Sequence, residues 1–212
     1  MPETVVLVHG VWMTGLEMHV LARRLRACGY RTRVFRYRSL RRPLQWNGQR
    51  LVREVRRLGA GTLHLVGHSL GGLVILQALQ DCPDLVTGRV VLLGSPVNGS
   101  LIAQRLYRHA WSRWLVGRSA ERGLLGDGLH WQGSPAPGVV AGVRPVGVGQ
   151  LLGGLPGAND GTVALSETAI DGAADSLVVR TTHMGLLFSA PVAQALCRFL
   201  GTGRFEVTDA AP

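Results

Sequence analysis

Between Leu63 and Leu79 the chain reads LHLVGHSLGGLVILQAL. Its centre, Gly67-His68-Ser69-Leu70-Gly71, has the pattern G-x-S-x-G. The apolar run before it predicts a strand over Thr62–Val66, and the apolar run after it predicts a helix over Leu70–Gln80. A turn this tight strains the serine backbone, and only small residues such as Gly67 and Gly71 let strand and helix approach closely. The strain lifts the Ser69 hydroxyl clear of the sheet, at a helix N-terminus whose dipole and free N–H groups favour a developing anion. Five residues of pattern occur often by chance; the strand–turn–helix context gives this one its weight.

On either side, short β-rich runs alternate with helical stretches. Strands are expected at Thr4–Val8, Thr32–Tyr37, Arg89–Leu93, Val139–Val143 and Leu177–Thr181. Helices are expected at Thr14–Cys28, capped by Thr14, and at Leu44–Leu58, Leu101–Leu115 and Pro191–Leu200, the last capped by Ser189 and stopped by Gly201. Gly117–Gly138 and the Gly-rich stretch up to Asn159 read as loops, and the tail from Thr202 as loosely held. Alternating strands and helices argue for right-handed βαβ units. The expected architecture is one α/β domain with about six mostly parallel strands, helices on both faces and a small cap or none. Sites in such sheets form at the carboxyl ends of strands, so those positions carry the search for chemistry.

After the first strand comes His9-Gly10-Val11-Trp12. An acyl-transfer site needs a second N–H donor aimed at the oxyanion, and the Val11 N–H would pair with that of Leu70. His9 then shapes the loop. A serine hydroxyl also needs a base. Of the seven histidines, His64 lies on a strand, His68 inside the turn, and His19 and His109 on helices. His183 follows the last strand and could swing over Ser69; His130, in the long loop, is its rival. The base in turn needs an acid. Asp160, in the turn Asn159-Asp160-Gly161, is favoured over Asp171 and Asp175, which read as polar loop residues. Trp12 and Met13 would form the near wall of a substrate pocket, or belong to the core. Tyr107, Trp111 and Trp114 line one side of the Leu101–Leu115 helix, which either packs on the sheet or lines an acyl pocket and touches lipid.

The chain has 212 residues, enough for one sizeable core and few for two. With 46% apolar and 17% charged residues it is not a disordered chain, and its 29 glycines have no collagen period. No apolar run approaches the roughly 18 residues of a membrane span. Three cysteines, Cys28, Cys82 and Cys197, cannot build a disulfide framework, and the odd number predicts free, passive thiols. The N-terminus shows no signal-peptide pattern, so a cytoplasmic location is expected. The net charge is +10, every basic residue is Arg, and thirteen of the 23 fall between Arg23 and Arg57. No aromatic interleaving or nucleic-acid motif accompanies that patch, so no nucleic-acid partner is expected. Arg105, Arg108 and Arg113 would favour transient contact with an anionic membrane surface.

The sequence resembles the α/β-hydrolase superfamily, and within it bacterial lipases and esterases. Four segments carry the resemblance: Val8-His9-Gly10, Gly67-His68-Ser69-Leu70-Gly71-Gly72, Asn159-Asp160-Gly161 and His183-Met184-Gly185-Leu186-Leu187. The order Ser69, Asp160, His183 is that of these hydrolases. Small lidless lipases have Ala where Gly67 stands and a shorter stretch from nucleophile to acid; here residues 99–137 could form a cap. The resemblance implies hydrolysis of small-molecule or lipid carboxylic esters through an acyl-enzyme, without metal or organic cofactor. Ser69, Asp160 and His183 would be catalytic, Val11 and Leu70 would hold the oxyanion, and Met184 would join Trp12, Met13, Tyr107 and Trp111 at the substrate. Thioester hydrolysis or acyl transfer would use the same machinery; a non-catalytic module binding a membrane or protein is the rival from another class. Acyl preference and oligomeric state are left open.

Overall fold

The computed structural model describes residues 2–59, 61–120, 123–125, 131 and 133–205. Six strands, β1 (Thr4–Val8), β2 (Arg31–Phe35), β3 (Leu63–His68), β4 (Val90–Leu93), β5 (Gly138–Gly142) and β6 (Asp175–Val179), form one sheet in the order β2-β1-β3-β4-β5-β6. Every neighbouring pair is parallel. The chain therefore starts one strand in from an edge, adds that edge as β2, and returns past β1 to build towards the other edge. The helices are α1 (His19–Ala27), α2 (Leu44–Arg57), α3 (Leu70–Asp81), α4 (Leu101–Arg108), α5 (Arg113–Val116), α6 (Val148–Leu151), α7 (Gly185–Phe188) and α8 (Ala190–Thr202).

Strand residues alternate between two cores because successive side chains point to opposite faces. Val6, Val8 and Leu65 pack with α2 and α3; Val5, Leu7, Val66, Val91 and Leu93 pack with α1 and α8. Both faces of β1, β3 and β4 are covered, which explains their uninterrupted apolar runs. α3 lies deepest: nine of its residues are buried, so its sequence is apolar all round.

Several boundaries differ from expectation. Gly15, at φ +93°, belongs to a turn, and the Glu17 carboxylate accepts from the Thr14 and Gly15 N–H groups, so α1 begins only at His19 and Leu16 is exposed. The helix expected over Leu101–Leu115 is broken. Ser100 caps α4 by accepting from the Ala103 N–H, but the Ser112 hydroxyl donates to the Leu106 carbonyl at 2.6 Å and turns the chain into the separate α5. α8 is capped by Ser189 as expected, runs through Gly201 and stops at Gly203, in the left-handed region at φ 87°. Phe205 is buried against Phe199, with ring centroids 4.6 Å apart, and its N–H donates to Asp175; residues 206–212 of the expected tail lie outside the described residues.

The cysteines need a larger correction. Cys28, which ends α1, is disulfide-bonded to Cys197 in α8, and only Cys82 is a free, buried thiol. Packing of α1 beside α8 brings together two residues 169 positions apart. An odd count of three leaves one thiol over and says nothing against a single bridge.

Candidate active site

Ser69 stands between β3 and α3 with φ 55° and ψ −126°, a conformation that costs a non-glycine residue roughly 1–3 kcal/mol. Its N–H is held by the Leu93 carbonyl at 2.9 Å. A Cβ on Gly67 would lie 2.6 Å from the Gly72 backbone, and one on Gly71 would run into the carbonyls of Val8 and His9. The two glycines are thus demanded by close approach. Among the described residues the Ser69 hydroxyl makes no hydrogen bond; it borders an apolar cleft.

The loop after β1 is braced by His9. That ring is fully buried and stacked on Tyr37 at 4.4 Å, and the Tyr37 hydroxyl donates to the His9 carbonyl at 2.8 Å. Its Nδ1 donates to the Gly10 carbonyl and its Nε2 accepts from the Tyr37 N–H, so the ring is a neutral structural part of the loop. Trp12 takes a left-handed φ of 59° and its indole N–H donates to the Leu115 carbonyl at 2.8 Å, tying this loop to α5. The Val11 and Leu70 N–H groups donate to no acceptor among the described residues.

On the other side, Asp160 is buried, with 1% exposure. One carboxylate oxygen accepts from the Thr162 and Val163 N–H groups at 2.9 and 2.7 Å. The other accepts from His183 Nδ1 at 2.6 Å, and the His183 N–H returns a bond to the Asp160 carbonyl at 2.9 Å. The Asn159 side chain tightens the turn by accepting from the Gly161 N–H. Gly94, at the end of β4 with φ 55°, is needed beside this pair, because a Cβ there would stand 3.1 Å from His183 Nδ1. Asp171 is exposed, and Asp175 begins β6, where it accepts from Ser176 and Phe205. His64 bonds Glu3 and the Arg89 N–H, His19 bonds carbonyls of its own turn, and His109 lies exposed beside Trp111. His130 lies outside the described residues.

The cleft beside Ser69 is narrow and half open, with about 50 Å3 of internal space, and is lined by Val11, Trp12, Leu106, Leu115, Val148 and Val163 among others. Trp12 is therefore at the cleft. Met13 sits under the loop, where its sulfur accepts from the Gly10 N–H, and packs on the core. Met184 follows His183 and is partly exposed. Tyr107 and Trp111 are not brought to the cleft: Tyr107 borders a separate hollow with Arg113 and Trp114, and Trp111 is 72% exposed.

Two contributors went unread in the sequence. His68 is fully buried; its Nε2 donates to the His183 carbonyl at 3.1 Å and its ring lies 4.6 Å from that of His183. It ties the Ser69 turn to the loop of His183. Glu167 accepts from the Leu101 and Ala164 N–H groups, clamping α4 to the acid's loop. The cross-links themselves, His68 to His183 and Glu167 to Leu101, have no local signal, because in each the partner is remote in sequence.

Burial pushes the pKa of His9 and His64 down, and that of His68 far down, the nearby His183 adding to the last. All three are held neutral in the fold. Below about pH 6.5 the unfolded chain binds protons that these rings refuse, so stability is full above that pH and is lost as pH falls. The urea midpoint is expected to be lower at pH 5 than at pH 7.5; an unchanged midpoint would mean the rings accept protons without unfolding.

The sequence profile of the alpha/beta hydrolase family matches residues 5–204, and the chain belongs to that family. The parallel six-stranded sheet is the fold its sequence led us to expect. Among solved structures it is similar to the lipase BlEst2 of Bacillus licheniformis. In the propeptide form the TM-score is 0.76 at 21% identity, over 92% of this chain but 50% of that one. In the mature form it is 0.75 at 20% identity, over 95% of this chain and 91% of that one. A metagenomic carboxyl esterase, MGS0156, gives 0.65 at 18% identity, over 85% of this chain and 64% of that one. At these identities the likeness is one of fold. No curated protein sequence matches the chain.

Proposed function

We propose that the chain is a serine hydrolase cleaving carboxylic esters through an acyl-enzyme. The observation that carries this reading is the buried 2.6 Å pair of His183 Nδ1 and Asp160 Oδ2, in a loop that His68 ties to the strained strand-to-helix turn carrying Ser69. Asp160 fixes Nδ1 as the donor, which leaves Nε2 as the base. His183 Nε2 takes the Ser69 proton as Oγ attacks the ester carbonyl carbon. The oxyanion forms at the Val11 and Leu70 N–H groups, both without a competing acceptor among the described residues. His183 then protonates the leaving alkoxide, which departs as the alcohol. Water then gives a proton to His183 as its oxygen attacks the acyl carbon; the bond to Ser69 Oγ breaks, the acid leaves, and Ser69 takes the proton back from His183. The apolar cleft accommodates the acyl part, with Trp12 at its wall. That the similar structures include a lipase and a carboxyl esterase supports this reading. The Cys28–Cys197 bridge suits an oxidising compartment better than the cytoplasm.

The test is active-site labelling. A fluorophosphonate should add to Ser69 and abolish hydrolysis of a short activated ester, with the adduct located by peptide mass. A panel of esters of graded acyl length then reports what the cleft accepts. No adduct on Ser69 in active protein would overturn the assignment.

A further inference from the structure

α5 and α6 each contribute to the cleft and each turn an apolar side outward. From α5, Leu115 and Val116 line the cleft, while Trp114 stands 69% exposed and the preceding Trp111 72% exposed. From α6, Val148 lines the cleft and Leu151 is 88% exposed. Both helices are tied to the same frame: the Trp12 indole holds the Leu115 carbonyl, and Arg105 of α4 holds the Leu152 carbonyl. Trp111, Trp114 and Leu151 are thus exposed on two segments that border one cleft, an apolar rim of the kind that marks a contact surface.

Among the described residues around this rim the charge has one sign. Between 85 and 159 the described residues hold Arg89, Arg105, Arg108, Arg113, Arg118 and Arg144 and no Asp or Glu; Glu121 and Asp127 lie outside the described residues. Arg118 donates its N–H to the Leu40 carbonyl, which places the exposed Arg38, Arg41 and Arg42 alongside. Leu40 itself shares a hollow with Trp114 and Arg118. Tryptophan suits a membrane's headgroup level, one face apolar and one edge polar, and guanidinium groups bond phosphate oxygens bidentately.

We propose that this rim docks on an anionic lipid surface with the cleft mouth turned towards it. Arginines meet the phosphates while Trp111, Trp114 and Leu151 enter the headgroup layer. If the hydrolase reading above holds, the substrate class is a lipid ester drawn from that layer. A soluble polyphosphate offers phosphates to the arginines but nothing to the exposed tryptophans, and a nucleic acid stacking its bases on them leaves the aliphatic Leu151 uncovered, so a bilayer satisfies both halves of the rim.

The test is partition to vesicles, measured with the Ser69→Ala protein so that binding is read apart from catalysis. Binding is expected to vesicles with one third phosphatidylglycerol, with a blue-shifted tryptophan emission, and to weaken in high salt. It should be at least about tenfold weaker on phosphatidylcholine alone. The triple change Arg41→Glu, Arg108→Glu and Arg118→Glu should weaken it at least about 100-fold, on a scale of roughly fivefold for each lost arginine. Trp111→Ser with Trp114→Ser should weaken it at least about tenfold. In the wild-type background the arginine variant should still cleave a soluble short-chain ester; loss of that activity together with its circular dichroism would report misfolding, in which case the tryptophan pair decides. Equal binding to neutral vesicles, binding undiminished by both variant sets, or capture of RNA without capture of vesicles would overturn the proposal.

Discussion

On the proposed mechanism, Ser69→Ala is expected to lower ester hydrolysis at least about 10³-fold and to leave the fold intact, because the proposed nucleophile is lost while the cleft and the proposed oxyanion donors stay. The second half of this expectation rests on what the hydroxyl does in the fold. It makes no hydrogen bond among the described residues, so its removal orphans no partner. Alanine at φ 55° is as strained as serine, so the turn neither gains nor loses from relief. Thermal unfolding should therefore be nearly unchanged while kcat/KM on an activated short-chain ester collapses. Retention of more than a tenth of the activity would show that the reacting atom lies elsewhere.

Asp160→Asn is expected to cost up to about 10⁴-fold, by the precedent of the same change in other triads. The geometry makes the mechanism specific. Oδ1 of Asp160 accepts from the Thr162 and Val163 N–H groups, and only an oxygen can stay there. The new amide nitrogen is thereby turned towards His183. It donates where a carboxylate oxygen had accepted, and His183 must present a lone pair at Nδ1 and carry its proton on Nε2. A base in that tautomer cannot accept from Ser69. Asp171→Asn and Asp175→Asn should cost less than about tenfold, since one residue is exposed and the other caps the start of β6. A crippling loss from either, with Asp160→Asn mild, would mean that the acid is misassigned.

The sheet was legible because its central strands are buried on both faces and so read as unbroken apolar runs, from Thr4 to Val8 and from Val90 to Leu93. The turn at Ser69 was legible because close approach leaves no choice but glycine at Gly67 and Gly71. Helical spacing misled at Leu101–Leu115. The stripe continues past Ser112, but the hydroxyl of Ser112 bonds back to Leu106 and stops the helix, which carries Trp111 outward instead of into the cleft. Short α7 has too few residues for a period to show. The contacts of His68 with His183, of Glu167 with Leu101 and of Cys28 with Cys197 span 115, 66 and 169 positions. Such pairings exist only once the sheet has brought the ends of distant loops together.

The bridge between α1 and α8 gives the molecule a ring topology. Ser69, Asp160 and His183 all lie on the closed circuit, and only two short arms lie outside it. A single proteolytic cut in any loop of that circuit opens the ring without releasing a fragment. The nicked protein would still travel as one species on a denaturing gel until a reductant separates the pieces. In surroundings rich in proteases, one cut anywhere between Cys28 and Cys197 cannot by itself part Ser69 from His183.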